Sequence, residues 1–469
     1  MKKKTLIYTA AGMIAFALAA QAATEQSVPV SQQQKLTMTI YNAGRALVND
    51  VRQVDFEKGH NQLSFIDISN MVMPSSVLFK ADGVRVLEQN FNFDLLSLDN
   101  LMEKSIGKTV DVEYINPATG AVQSDKAELL AYDGNYPILK IKDKIETAYP
   151  GRVIFNQVPE NLSARPTLVF DVNADKKAAQ NVEVSYLTNG ISWSADYVVE
   201  MGKDNVLDLN GLVTLTNNTT VSYKNAQLQL VAGDVNMVSP VMYKTNRSRA
   251  VMEMAVASSA DSMDTEAVSG YYLYTLNRPT DILSNQTKQV SLLSGNSIKA
   301  QKTYQYDSPV SYYSEYEFKN EKPTMYLTFA NTQTNGLGEA LPKGTMRVYE
   351  KDSKGGLIFV GEDMITHTAK GQDIRLRLGE DFDITATGKR ATFKKLDSKT
   401  SQAEFEIKIS NAKSIPVVVR YNQTLPSGWK ILSESLKSQK QTSNQIFWNV
   451  SVPAESDIVL TFKVQVDNR

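Results

Sequence analysis

From about residue 35 onward the chain alternates apolar and polar side chains, one segment after another, and a period of two restricts it to strands with one face buried. In Phe405-Glu406-Ile407-Lys408-Ile409 every second residue is apolar and the residues between are charged. Ile446, Trp448, Val450 and Val452 alternate with Phe447, Asn449 and Ser451, and Leu460, Phe462, Val464 and Val466 alternate with Thr461, Lys463 and Gln465. Ile374, Leu376 and Leu378 do the same around Arg375 and Arg377. Leu36–Tyr41, Arg45–Phe56, Leu168–Val172, Val182–Leu187, Ala195–Met201 and Leu209–Thr216 read as further strands. The fold class is all-β, a multidomain β-sandwich with few helices. About eight strands after residue 372, set apart by Gly, Asn, Asp or Pro turns, predict an immunoglobulin-like sandwich at the C-terminal end.

No cysteine is present, so no disulfide can hold this fold and apolar burial must do so. The chain of 469 residues is long enough for about three domains. Lys2, Lys3 and Lys4 precede an apolar run from Leu6 to Ala20, and Ala20-Gln21-Ala22 offers small residues at a cleavage point, so residues 1–22 are expected to be a bacterial secretory signal peptide. Cleavage there removes three of the 50 basic side chains and leaves 47 against 51 acidic ones, spread evenly. No basic block could track a phosphate backbone, which excludes nucleic acid as a partner. No later apolar run is long enough to cross a bilayer as a helix, so no transmembrane segment is expected after signal cleavage. The expected location is the periplasm, with secretion or surface association as the alternative.

Three domains are expected beyond the signal. Residues 35–190 form an N-terminal β domain with a small β module inserted at about 95–145. Residues 191–371 form a central β domain with a long Met-rich loop at about 238–270, and residues 372–469 the immunoglobulin-like sandwich. The inserted module contains the one convincing helix, capped by Ser97, with Leu98, Leu101 and Met102 on one face, Ile106 a turn later, and Gly107 as the stop. Three strands follow in Thr109–Tyr114, Ala127–Tyr132 and Ile138–Ile141, joined by tight turns, as in a small barrel or an inserted hairpin module. Strands also end alike in Leu215-Thr216-Asn217, Phe329-Ala330-Asn331 and Ile409-Ser410-Asn411, a hint of repeated sandwich modules.

Several stretches fall into a recognisable order. Asn189-Gly190-Ile191-Ser192-Trp193-Ser194-Ala195-Asp196-Tyr197 precedes Asn225-Ala226-Gln227-Leu228-Gln229-Leu230-Val231-Ala232-Gly233-Asp234 and Tyr271-Tyr272-Leu273-Tyr274-Thr275-Leu276. Asn335-Gly336-Leu337-Gly338, Leu341-Pro342-Lys343-Gly344-Thr345-Met346-Arg347-Val348-Tyr349 and Phe359-Val360-Gly361-Glu362-Asp363 follow. In this order and spacing they resemble a large group of exported bacterial proteins that carry a domain of unknown function, shared with the mucoidy-inhibitor A family. The resemblance is strongest from about 180 to 380 and implies an exported, β-rich envelope protein. It brings no activity, cofactor or active-site residue with it. The long coiled-coil-like insertion frequent in mucoidy-inhibitor relatives is missing here.

Catalytic chemistry finds little to work with. Any Ser-His pair must use His60 or His367, each placed in or beside a turn, and no nucleophile elbow occurs. Asp171-Val172-Asn173-Ala174-Asp175 opens like a calcium loop, but Lys176 stands where glycine is needed and Val182 where a bidentate Glu is needed, so it reads as a polar turn. Met252-Glu253-Met254 could offer thioethers to Cu(I) but lacks a third soft ligand nearby. Asp381 and Asp383 alternate along an expected strand and read as solvated carboxylates. No catalytic residue, metal ligand or cofactor is therefore assigned.

The binding candidates are Tyr304, Tyr306, Tyr312 and Tyr316, in a stretch that also holds Tyr313 and Phe318; tyrosines are good platforms for sugars or proteins, and equally good strand residues. The functional expectation is a non-enzymatic cell-envelope protein whose β domains bind an envelope protein or polysaccharide. A carboxylate-based hydrolase acting on envelope polysaccharide is the alternative.

Overall fold

The computed structural model describes residues 24–92, 96–159, 162, 165–233, 235, 263–268 and 270–467. The expected signal segment and Met237, Met242, Met252 and Met254 lie outside these. The chain separates into two compact units. Among the described residues, one comprises those up to Thr37 with those of Leu47–Asn189 and Thr219–Tyr223; the other comprises Met38–Ala46, Gly190–Asn218 and those from Lys224 onward.

The first unit contains a four-stranded sheet in the order Thr24–Val28, Gly59–Ile66, Thr167–Ala174, Val84–Asn92. Thr24–Val28 runs parallel to its neighbour, and the other pairings are antiparallel. Thr167–Ala174 is central and buries Leu168, Phe170 and Val172. The calcium-like segment is not a turn, as the sequence suggested: Asp171, Val172 and Asn173 lie within this strand, because Asp171 pairs with Gln62 and Asn173 with His60. His60 accordingly sits in a strand as well. The strand Arg45–Phe56 carries Asp50 and Arg52 into the core of this unit, where both are buried.

Within that unit the inserted module is an open, antiparallel five-stranded sheet. Its order is Lys144–Glu146, Pro137–Ile141, Val122–Tyr132, Thr109–Ile115, Arg152–Ile154. Its core is small: Met102, Val110, Val112, Ala127, Leu129 and Leu139. The helix Leu98–Lys104 forms as expected, with the amide of Asn100 donating to Ser97 Oγ at 3.1 Å. At seven residues it buries only Met102, and Leu98 and Ile106 stay 61% and 45% exposed. Replacing Ser97 with alanine should therefore destabilise this helix by about 1 kcal/mol. Faster amide exchange at residues 98–104, with the rest of the unit unchanged, is the expected readout.

The second unit is built on a ten-stranded sheet. Its path runs Leu357–Ile365, Gly344–Lys351, Ile191–Met201, Val206–Asn217, Gln286–Asp307, Val417–Thr424, Gln445–Val452, Gln439–Lys440. Thr324–Ala330 branches from Gln286–Asp307 and pairs in turn with Asp373–Glu380. Gln286–Asp307 is 22 residues long: residues 286–299 pair with Val206–Asn217, and residues 304–307 pair in parallel with Val417–Thr424. A five-stranded sheet of order Glu317–Glu321, Ile384–Lys395, Thr400–Asn411, Ser456–Asp467, Trp429–Glu434 packs against the far end, making a two-sheet sandwich. Its core joins Phe405, Ile407, Phe462 and Val464 from one sheet to Tyr421, Trp448 and Val450 from the other. The same core takes in Tyr304, Tyr306, Tyr312 and Phe318, upstream of residue 372. Part of the expected Met-rich loop is regular: Asp264–Val268 turns at Gly270, where φ is +85°, and pairs with Tyr271–Thr275.

The repeated strand-ending asparagines share one structural job. Asn217, Asn331 and Asn411 are all buried, and each Nδ2 donates to backbone carbonyls of other loops. Asn217 reaches Ile282 and Leu283, Asn331 reaches Glu339 and Ala369, and Asn411 reaches Ile415 and Pro453. An amide supplies both donor and acceptor, so one side chain can satisfy several backbone groups that a strand leaves behind when it stops.

Candidate functional site: an arginine and aromatic sheet face

In Gln286–Asp307 the two-residue period sends Tyr304 and Tyr306 into the sandwich core and places Gln305 and Asp307 on the opposite, outer face. Neighbouring strands add their own outward residues. Thr324–Ala330 contributes Tyr326, Asp373–Glu380 contributes Arg375 and Arg377, Val417–Thr424 contributes Arg420 and Asn422, and Gln445–Val452 contributes Phe447. Register brings them level: Thr303 faces Tyr326, Gln305 faces Arg420, Asp307 faces Asn422, and Asn422 faces Phe447.

The side chains form a continuous network. The Arg375 guanidinium lies 3.7 Å from the centre of the Tyr326 ring, and Arg420 lies 3.6 Å from that of Phe447. Arg375 donates to Gln305 Oε1 at 2.6 Å, and Gln305 donates to Asp307. Asn422 donates to the same carboxylate at 2.7 Å, and Arg420 donates to Asn422 Oδ1 and to Gln441 Oε1. Partial burial, together with the positive charge of Arg375, pulls the Arg420 pKa below its ordinary value, while Asp307 acts the other way. Among the described residues none of Arg375, Arg377 and Arg420 forms an ion pair. Arg347, elsewhere on the same sheet, is neutralised by Asp196 at 3.2 Å and Glu362 at 3.1 Å. The outer face thus offers stacked, pre-positioned guanidinium groups with donor capacity left over, an arrangement suited to acceptor-rich or acidic partners.

The tyrosines singled out from the sequence occupy other places. Tyr304, Tyr306 and Tyr312 are core residues, so their rings cannot serve as surface platforms in this structure. Tyr306 stacks between Phe318 and Tyr421, at 5.2 and 5.9 Å between ring centres, and donates to the Glu321 carboxylate. Burial first, and then Glu321, push its phenol far above the usual value. Tyr316 is exposed, as is Tyr313, whose ring packs edge-on against Tyr312. The tyrosines fill the sandwich because its two sheets need large side chains to meet, and Tyr is well suited to that.

Other candidates resolve into structural roles. Asp381 and Asp383 precede the strand Ile384–Lys395 rather than lying on one, and both face Lys413, at 2.8 and 3.6 Å. His367 Nδ1 accepts from the amide of Lys343 at 3.2 Å, tying two loops together. His60 Nε2 lies 3.8 Å from Asp171. No group of three His, Cys, Asp or Glu among the described residues could hold a metal ion. No helix among them is long and apolar enough to cross a membrane. In the inserted module, an open pocket of about 330 Å³ with mixed polar and apolar lining lies between Ser105, Lys108, Thr109 and Val110 on one side and Phe155, Asn156, Gln157 and Pro159 on the other.

The segment from Asn335 to Asp363 is a clasp. Asn331 Oδ1 accepts from the amide of Gly338, Tyr274 donates to the carbonyl of Ala340, and Tyr197 donates to that of Pro342. Gly336 and Gly338 have φ of +79° and +89°, and a Cβ on either would lie 2.5 Å from backbone atoms, so no other residue fits without a shift. Residues 182–468 match the Domain of unknown function (DUF4139), and the chain belongs to that family. No curated protein matches the chain. Every residue of the arginine and aromatic face lies within the matched region.

Proposed function

We propose that this is an exported cell-envelope protein without enzymatic activity, which binds an envelope partner through the outer face formed by Gln305, Asp307, Tyr326, Arg375, Arg420, Asn422 and Phe447. One observation carries the reading: a set of arginines fixed on aromatic rings and amides, with the Asp307 carboxylate held by Gln305 and Asn422 and not in a direct ion pair with them. Polar groups locked in this way lose little entropy on binding, which is what a recognition surface requires. Export is supported by the basic, apolar and small-residue succession of residues 1–22. The resemblance to exported proteins related to the mucoidy-inhibitor A family supports the same reading, and the periplasm is the compartment it favours.

The test has two arms. Osmotic-shock fractionation of cells expressing the full chain should release a product shortened at its N-terminus, and deletion of residues 2–20 should leave it in the cytoplasm. Immobilised native chain should retain an envelope component that the Arg375→Ala, Arg420→Ala double variant does not. Equal retention by the two, or cytoplasmic full-length product, would count against the proposal.

A further inference from the structure

Resting on that reading, we infer that the partner of this face is an acidic protein surface and not a sugar polymer. Sugars are held on aromatic platforms mainly by stacking on exposed ring faces. Here Tyr326 and Phe447, the rings available on this face, each already carry a guanidinium at van der Waals distance, 3.7 and 3.6 Å from the ring centre. The stacking surface is thereby replaced by a charged, planar donor. Gln305, Asn422 and Gln441 hold those guanidiniums in place and use part of their hydrogen-bonding edge, so that each keeps further N–H donors for a partner. Arginine backed by an aromatic ring is a composition that recurs at the energetic centres of protein interfaces.

Charge complementarity sets the partner's chemistry. Arg375 and Arg420 are near enough for one charge to depress the pKa of the other, and Arg377 lies two residues along the strand from Arg375. Two carboxylates lie beside them: Asp307 accepts from Gln305 and Asn422, and Asp363 accepts from the backbone amide of Arg377, so neither is taken up by a guanidinium. An Asp or Glu side chain from a partner, placed between the two guanidiniums, would accept from both and relieve their repulsion.

The probes are poly-L-glutamate and polygalacturonate, equal in carboxylate content and different in backbone, presented to the native full-length chain by biolayer interferometry. Poly-L-glutamate should bind at low salt and weaken about tenfold on raising ionic strength, because the attraction is between solvent-facing charges. Arg375→Ala with Arg420→Ala should weaken it about tenfold again. Arg375→Lys with Arg420→Lys keeps the charge and loses the flat fork, and should lose most of the same affinity with an unchanged melting temperature. Polygalacturonate binding at least as tightly as poly-L-glutamate, and lost in the double variants, overturns the protein inference while leaving the face as a binding site. Polyanion binding equal in native and variant chains, or no binding of either polymer, overturns the face itself.

Discussion

Replacing Arg52 with methionine should destabilise the first unit by roughly 3–5 kcal/mol, the cost of leaving a buried charge without its partner. Arg52 and Asp50 stand two apart on the strand Arg45–Phe56, so both point to the same, inner face, and their side chains are 1% and 6% exposed. The guanidinium donates twice to Asp50 Oδ2, at 3.0 and 2.7 Å, and also to the carbonyls of Val28 and Ile66. Gln33 satisfies the other carboxylate oxygen at 2.8 Å. One arginine therefore joins the ends of Thr24–Val28 and Gly59–Ile66, two strands that already pair in parallel. Methionine would leave Asp50 buried with a single amide donor and both carbonyls without theirs. The double change Arg52→Met, Asp50→Leu should recover much of the loss, since a packed apolar pair avoids the desolvation cost. Trp193, Trp429 and Trp448 all lie in the second unit, so tryptophan fluorescence would miss this transition. Urea unfolding followed by amide exchange at residues 47–66 would detect it. A single variant within about 1 kcal/mol of the native chain would show that the pair is solvated.

Asn331→Leu should cost the second unit about 3 kcal/mol, because three backbone groups lose their buried partner together. Asn331 donates to Glu339 at 2.6 Å and to Ala369 at 3.2 Å, and accepts from Gly338 at 3.0 Å, while its own side chain is fully buried. Asn331→Asp should be at least as damaging, since a carboxylate would face two carbonyl oxygens with nothing to donate. Trp193 lies 6.5 Å from Tyr274, which holds the adjoining carbonyl of Ala340, so its fluorescence reports on this region directly. A melting curve for Asn331→Leu that overlays the native one would refute the stapling role. The same argument extends to Asn411, whose amide holds Ile415 and Pro453.

The strands of the second unit were legible because burial there follows a period of two. Phe405, Ile407 and Ile409, then Ile446, Trp448, Val450 and Val452, are all core residues, as their alternation requires. The triple recurrence of a terminal Asn was visible too, although its role as a staple needs the loops it reaches. The binding face was hidden for a physical reason. Its members come from five strands, and the closest partners, Arg375 with Tyr326 and Arg420 with Phe447, are brought together by pairing across tens of residues. The tyrosine-rich stretch drew notice because aromatic residues stand out by composition, and composition does not say which side of a strand faces water. Tyr304 and Gln305 are one residue apart and on opposite sides of the sheet. The spacing of Asp381 and Asp383 matches a strand, yet they lie in the bend before one, where both carboxylates face Lys413.

The pairing order of the second unit has a consequence for how the chain is made. Tyr304 is zipped in parallel to Val419, and Ala195 in parallel to Gly344, so each contact closes a loop of more than a hundred residues. Loops of that size form late and slowly. Thr400–Asn411 in turn pairs with Ser456–Asp467, the most C-terminal strand among the described residues. The sandwich core therefore closes only after Ser456–Asp467 has been made, since Leu460, Phe462, Val464 and Val466 belong to it. Until then Trp448, Phe405 and the tyrosines of the sandwich stand open to solvent, and the unfinished chain depends on being held apart from its neighbours.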